Sequence, residues 1–121
     1  MAAITRTTDK ITRGSHWWTW SAIGNADTAT EIGDDEGIVA FADKTVQVDG
    51  TFGGTTVTLE GSNDGASWFG LSDPQGTAIS FTAAGMSAIL ENPRYIKPVM
   101  TGGAASSINV RLVGRAIIQM F

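Results

Sequence analysis

Polar and apolar residues alternate one for one along short stretches of this chain. Thr45-Val46-Gln47-Val48-Asp49 and Thr56-Val57-Thr58-Leu59-Glu60 both follow the pattern, and Ile108, Val110 and Leu112 alternate with Asn109 and Arg111. A period of two puts every second side chain on one face of a strand, so Val46, Val48, Val57 and Leu59 are expected to face a core. Helical periodicity does not recur. Further strands are expected over 16–23, 37–42, 67–71, 78–82, 86–90, 94–100 and 114–120, and the span 4–12 reads as a strand or an extended arm. Ser62-Asn63-Asp64-Gly65, Asp73-Pro74-Gln75-Gly76, Ala84-Gly85 and Gly102-Gly103 mark turns between them. Gly53-Gly54 reads as a hairpin turn. Turn signals roughly every 8–12 residues indicate an antiparallel β-sandwich or barrel.

The 121 residues suit one domain. We read residues 1–15 as an N-terminal arm or first strand and 16–121 as a single all-β sandwich domain. Pro98 lacks a backbone donor, so its strand is expected at an edge or a bulge. The stretch 25–36 is expected to be a long surface loop, with Asp27 as a candidate cap for one short helical turn.

Composition removes several kinds of chemistry. The chain has no cysteine, which excludes disulfides, zinc-thiolate sites and thiol nucleophiles. No apolar run is long enough for a membrane helix, and the N-terminus lacks a signal-peptide pattern. His16, the single histidine, has no evident orienting partner for acid–base work. Asp34-Asp35-Glu36 lacks the alternating spacing of a calcium loop, and Asn63-Asp64-Gly65 is better explained as turn chemistry. No phosphate-binding loop, nucleophile elbow or selected carboxylate pair is present. The reading is of a non-enzymatic module with no cofactor, no metal and no small-molecule substrate.

Charge is segregated. Residues 1–16 carry Arg6, Lys10 and Arg13 against Asp9, a net of +2. Residues 17–91 carry eleven acids against Lys44, a net of −10. Residues 92–121 carry Arg94, Lys97, Arg111 and Arg115 and no acid, a net of +4. A dipolar surface of this kind favours ordered association with copies of itself or with a charged lattice, although terminal and loop composition alone also explains it. The overall acidity argues against a nucleic-acid partner.

Aromatic residues add to the picture. On a strand, Trp18 and Trp20 share one face with Ala22 and enter the core, leaving Trp17 on the polar face. There Trp17 is either a contact residue or lies under the N-terminal arm. Trp68 is expected to pack into the sandwich. In the C-terminal stretch, Ile118 and Met120 can face the core, which leaves Ile117 and Phe121 needing another cover.

The run from Val57 to Trp68 (VTLEGSNDGASW), followed by Asp73-Pro74-Gln75-Gly76, by Glu91-Asn92-Pro93-Arg94-Tyr95-Ile96-Lys97-Pro98 and by Thr101-Gly102-Gly103, resembles small structural proteins of tailed bacteriophages. In particular it resembles the capsid cement, or decoration, proteins with a jelly-roll fold. The resemblance spans about residues 45–115. It implies a virion protein, made in the host cytoplasm, that sits on the outer capsid surface and bridges neighbouring major capsid proteins. It also implies a homo-oligomer, dimer or trimer. The interface residues we assign are Trp17, Ile117, Phe121, Arg6, Lys10, Arg13, Arg111 and Arg115. The alternative is a carbohydrate-binding β-sandwich module, of a phage tail or fibre for example, in which Trp17 or Trp68 stacks on a sugar beside Asn63, Asp64 or Gln47.

Overall fold

The alternating segments do pair as strands. The computed structural model describes residues 3–4, 7–12, 15–33 and 41–115. In chain order the strands are β1 (Ala3–Ile4), β2 (Thr7–Thr12), β3 (Ser15–Ile23), β4 (Thr28–Ala29), β5 (Asp43–Thr51), β6 (Thr56–Ser62), β7 (Phe69–Gly70), β8 (Ser80–Phe81), β9 (Gly85–Ile89), β10 (Tyr95–Thr101) and β11 (Ser107–Arg115). No helix occurs among the described residues, and therefore none long and apolar enough to cross a membrane.

Five strands form the larger sheet in the order β2-β3-β11-β5-β9, all antiparallel. A smaller antiparallel sheet runs β10-β6-β7, with β8 also paired to β6. Beyond β10, Ile32 bridges Ile96, and β4 pairs in parallel with β1. The chain is thus all-β with largely antiparallel sheets arranged as a β-sandwich.

The core lies between the two sheets, where the period-two pattern sends the apolar half of each strand. Trp18, Trp20, Val46, Val48, Val110 and Leu112 from the larger sheet meet Val57, Leu59 and Ile96 from the smaller one, all essentially without exposure. Burying each such side chain contributes on the order of 1.5–3 kcal/mol. The indole N–H of Trp20 donates to the Thr30 carbonyl at 2.8 Å, which ties the chain after β4 to the core. Pro98 sits on β10, which ends its named sheet, as expected for a residue without a donor.

Several expectations need correction. Gly53-Gly54 does not close a hairpin, because β5 lies in the larger sheet and β6 in the smaller. The pair instead carries the chain from one sheet to the other, and Gly102-Gly103 does the same between β10 and β11. The two crossings lie side by side. Ala104 N–H donates to the Gly53 carbonyl at 3.0 Å, and Thr55 Oγ1 donates to the Gly102 carbonyl at 3.1 Å. The Ser106 hydroxyl meets Thr55 Oγ1 and donates to the Phe52 carbonyl at 2.9 Å.

Ala22 does not share the inner face with Trp18 and Trp20. It has φ +54° and is exposed, where β3 slips register against β11. The irregularity lets Ile23 turn inward instead. The stretch 25–36 is not wholly loop, since it contains β4 and the Ile32 bridge. Asp27 caps no helix; its Oδ2 accepts from Gly24 N–H at 2.8 Å within a turn. Within the segments 67–71 and 78–82 the continuous strands are the short β7 and β8. Pairing extends beyond them through the Ser72–Ala78 bridge and the bonds from Leu71 N–H to the Leu59 carbonyl and from Ile79 N–H to the Leu71 carbonyl, each at 3.0 Å. Residues 108–115 form one continuous strand, so Gly114 and Arg115 belong to β11 rather than to a separate strand. Residues 37–40 and 116–121, including Ile118 and Met120, lie outside the described residues, and Phe41 and Ala42 are not in a strand.

Candidate functional site: the outer face of the larger sheet

Because Trp18, Leu112 and Val46 point inward, their chain neighbours point to the outer face. Register then assembles that face row by row. Trp17 stands opposite Val113, Val113 opposite Thr45, and Thr45 opposite Ala88. All four are half-buried, and together they make a mostly apolar stripe across β3, β11, β5 and β9. The next row is Thr19, Arg111, Gln47 and Met86. Met86 is 64% exposed on the edge strand β9. Arg111 Nε donates to Thr19 Oγ1 at 3.2 Å, which holds the guanidinium stem across the sheet.

Charged groups bracket the stripe at both ends. Arg115 stands opposite both Ser15 and Asp43. At the other end, Asn109 Nδ2 donates to Asp49 Oδ1 at 3.0 Å, and its own Oδ1 accepts from Ala22 N–H at 3.0 Å. The face therefore offers an apolar centre with charges of both signs at its rim, the arrangement of a protein-binding patch.

Of the eight assigned interface residues, Trp17, Arg111 and Arg115 come together on this face. Lys10 stands on β2 opposite Trp17. Strand β2 runs alongside β3 and extends the sheet sideways. Arg6, Arg13, Ile117 and Phe121 lie outside the described residues. The other two C-terminal cations, Arg94 and Lys97, belong to the smaller sheet's side and do not join Arg111 and Arg115. Val113, Ala88 and Met86 were not singled out from sequence. Their signal was the parity of their strands: each is offset by an odd number of residues from an inward-facing neighbour.

Trp68 does not pack into the core. It lies on the outer side of the smaller sheet, with its ring edge-on to Tyr95 at 6.5 Å between centroids. The Lys97 ammonium sits 4.2 Å from the ring centroid, and the Arg94 guanidinium lies 5.3 Å from the Tyr95 centroid. The Asn-Asp-Gly turn beside it is held by its own side chains. Asp64 Oδ1 accepts from Ala66 N–H, Ser67 N–H and the Ser62 hydroxyl, each at 2.9 Å. Those donors hold the Asp64 carboxyl down at about 2. Asn63 Oδ1 accepts from Arg94 N–H at 3.1 Å. Next to this turn an open groove of about 520 Å³ runs between β7 and the β9–β10 connection, with Phe69, Leu71, Glu91 and Asn92 among its walls. Phe69 is 71% exposed.

Two ionisable residues are buried at one level of the sandwich. His16 stacks on Trp18 at 4.3 Å with nearly parallel planes, and Phe41 meets both rings edge-on. Burial lowers the His16 pKa, so the ring is neutral near pH 7. Lys44 is fully buried at the start of β5, and sequence reasoning had given it no role. Its Nζ donates to the Phe41 carbonyl at 2.8 Å and to Asn92 Oδ1. Among the described residues, no group of three or more His, Asp or Glu side chains is placed to hold a metal ion.

A scan against protein-family models finds no match to this chain, and a search of curated protein sequences finds none.

Proposed function

We propose that this chain is a structural virion protein that decorates and cements a bacteriophage capsid, docking through the outer face of its larger sheet. The observation that carries the reading is the in-register stripe of Trp17, Val113, Thr45 and Ala88, with Met86 exposed beside it and charges at the rim. A large aromatic residue within an apolar patch is a frequent anchor of a protein interface. Rim charges orient the approach and set the docking angle.

Strand order supports a jelly-roll reading of the sandwich. Take β3, β4, β5, β6, β7 with β8, β9, β10 and β11 as eight successive strands. The larger sheet then contains the first, eighth, third and sixth, and the smaller side the second, seventh, fourth and fifth. That interleaving is the one produced when a long hairpin wraps into two facing sheets, an arrangement shared by viral capsid and lectin domains. A cement protein of this kind would bridge neighbouring major capsid proteins, each contact modest and multiplied by shell symmetry.

The test is to titrate purified protein onto undecorated shells of the cognate phage and measure bound copies. Wild-type protein is expected to saturate the shell, whereas Trp17→Ala is expected to weaken binding by about tenfold or more, the loss of a buried aromatic anchor. Unchanged occupancy by Trp17→Ala removes this face from the interface.

A second reading, sugar binding, draws on Trp68 lying at the surface. Its ring, however, already has Lys97 over it, Asp64 is engaged within its own turn, and the Asn63 side chain accepts from Arg94 N–H. Gln47 belongs to the opposite sheet. A glycan array with clear hits that Trp68→Ala abolishes would favour this reading over docking.

A further inference from the structure

Lys44 is the one cation of the acidic middle segment, and it points inward with Val46 and Val48. Burying an ammonium among Val, Ile and aromatic side chains is costly unless chemistry or pairing relieves it. Among the described residues no carboxylate hydrogen-bonds its Nζ; a backbone carbonyl and the Asn92 carboxamide do. Phe41 supplies that carbonyl and packs into the space beside Gly114, where a Cβ would lie 2.6 Å from the Phe41 Cβ. The amine is thus held by a fixed backbone oxygen on one side and hydrogen-bonded to the oxygen of a primary amide on the other.

The geometry points to an intramolecular isopeptide bond between Lys44 Nζ and Asn92 Cγ. In the reaction, the lone pair of the neutral amine attacks Cγ, and the carbonyl electrons move onto Oδ1. The carbonyl then re-forms as the Cγ–Nδ2 bond breaks. A proton passes from Nζ to Nδ2, which leaves as ammonia. One primary amine and one primary amide become one secondary amide plus ammonia, with no oxidant or reductant. Prior placement of the two groups replaces a bimolecular encounter, an advantage that reaches 10⁵–10⁸ M in effective concentration for well-oriented pairs, to an order of magnitude.

Two further features favour the step. Burial brings the Lys44 amine down to about 8, against a partly opposing pull from Asp43, so a useful fraction is neutral at mildly alkaline pH. Asn92 also borders the open groove, which gives ammonia a route to solvent and draws the exchange forward. The resulting bond would tie β5 of the larger sheet to the β9–β10 connection across 48 residues of chain. Such a link restricts the unfolded state as a disulfide does, in a chain that has no cysteine.

Intact-mass spectrometry of the purified full chain, held at pH 9, tests this directly. The expected mass is one ammonia below the sequence mass, and formation should be faster at pH 9 than at pH 6. After cleavage at glutamate, peptides 37–60 and 92–121 should appear as one branched species. Succinimide formation at Asn92 is closed off because Pro93 has no N–H to attack with, so ammonia loss at that site requires another nucleophile. Lys44→Arg and Asn92→Ala should keep the full mass of their sequences and melt about 10 °C or more below wild type. A wild-type chain that is folded by circular dichroism and keeps its full sequence mass overturns the proposal, as does ammonia loss that persists in Lys44→Arg. The wild-type mass and peptide map decide the matter even where a variant fails to fold.

Discussion

His16 and Asp64 show how two ionisable side chains of one chain respond oppositely to their surroundings. His16 packs against both Trp18 and Phe41, where its charged form is poorly solvated. Its pKa is lower folded than unfolded, so the unfolded chain takes up the proton first. Stability is therefore full above about pH 6.5 and declines as pH falls below it. His16→Phe is expected to flatten that part of the stability–pH curve, measured by urea unfolding between pH 7 and pH 5; an unchanged slope would show that His16 is solvated. Asp64 is also depressed, through hydrogen bonds from its own turn rather than through burial. Its contribution is present above about pH 3.8 and fades as pH falls toward 2. Asp64→Ala should lower Tm at pH 7 and reduce the loss seen on acidification to pH 2.5. At this scale the sequence was partly legible. His16 beside an aromatic ring was readable from its neighbours. Lys44 was readable from parity, two residues before the inward Val46, yet its charge argued for the surface and hid it. Trp68 was misjudged because it precedes β7 and no alternation fixes its direction.

The two sheet-to-sheet crossings are the elements on which the sandwich closes. Gly103 has φ +78°, and a Cβ there would lie 2.5 Å from the Thr55 backbone nitrogen. Gly54 has φ +84° but open space, with its nearest neighbour 3.7 Å away. Gly54→Ala should therefore cost about 1–2 kcal/mol from backbone conformation alone. Gly103→Ala should cost distinctly more, because the Thr55 backbone must also move. Equal costs in denaturant unfolding would contradict the stacked geometry of the crossings. Thr55→Val tests the same joint through its hydroxyl, which is fully buried and bonded to Gly102 and Ser106. Its loss should cost roughly 1–3 kcal/mol, since the Gly102 carbonyl loses its donor. Strand positions were legible because alternation and turn residues are local signals. The partner of each strand was not. A Gly-Gly pair announces a change of direction but does not say whether the next strand bonds to the last one or crosses to the facing sheet. The register slip at Ala22 was hidden for a similar reason, since it answers to β11, nearly ninety residues away.

At the scale of the whole molecule, the segregation of charge seen in the sequence does not become a single positive pole among the described residues. Arg111 and Arg115 stand on the outer face of the larger sheet, while Arg94 and Lys97 stand with Tyr95 and Trp68 on the other side. What the fold does gather is a stripe of apolar side chains on one face, framed by acids and bases. That arrangement supports docking, with the exposed Met86 and the edge strand β9 at its margin. The central question is whether this face meets a capsid. Co-sedimentation of the purified chain with undecorated shells, imaged by cryo-electron microscopy, measures it. Docking through this face predicts copies in the hundreds, placed regularly, with Trp17 and Val113 turned toward the shell. Shells that stay bare, or that bind through the Trp68 side, would contradict it.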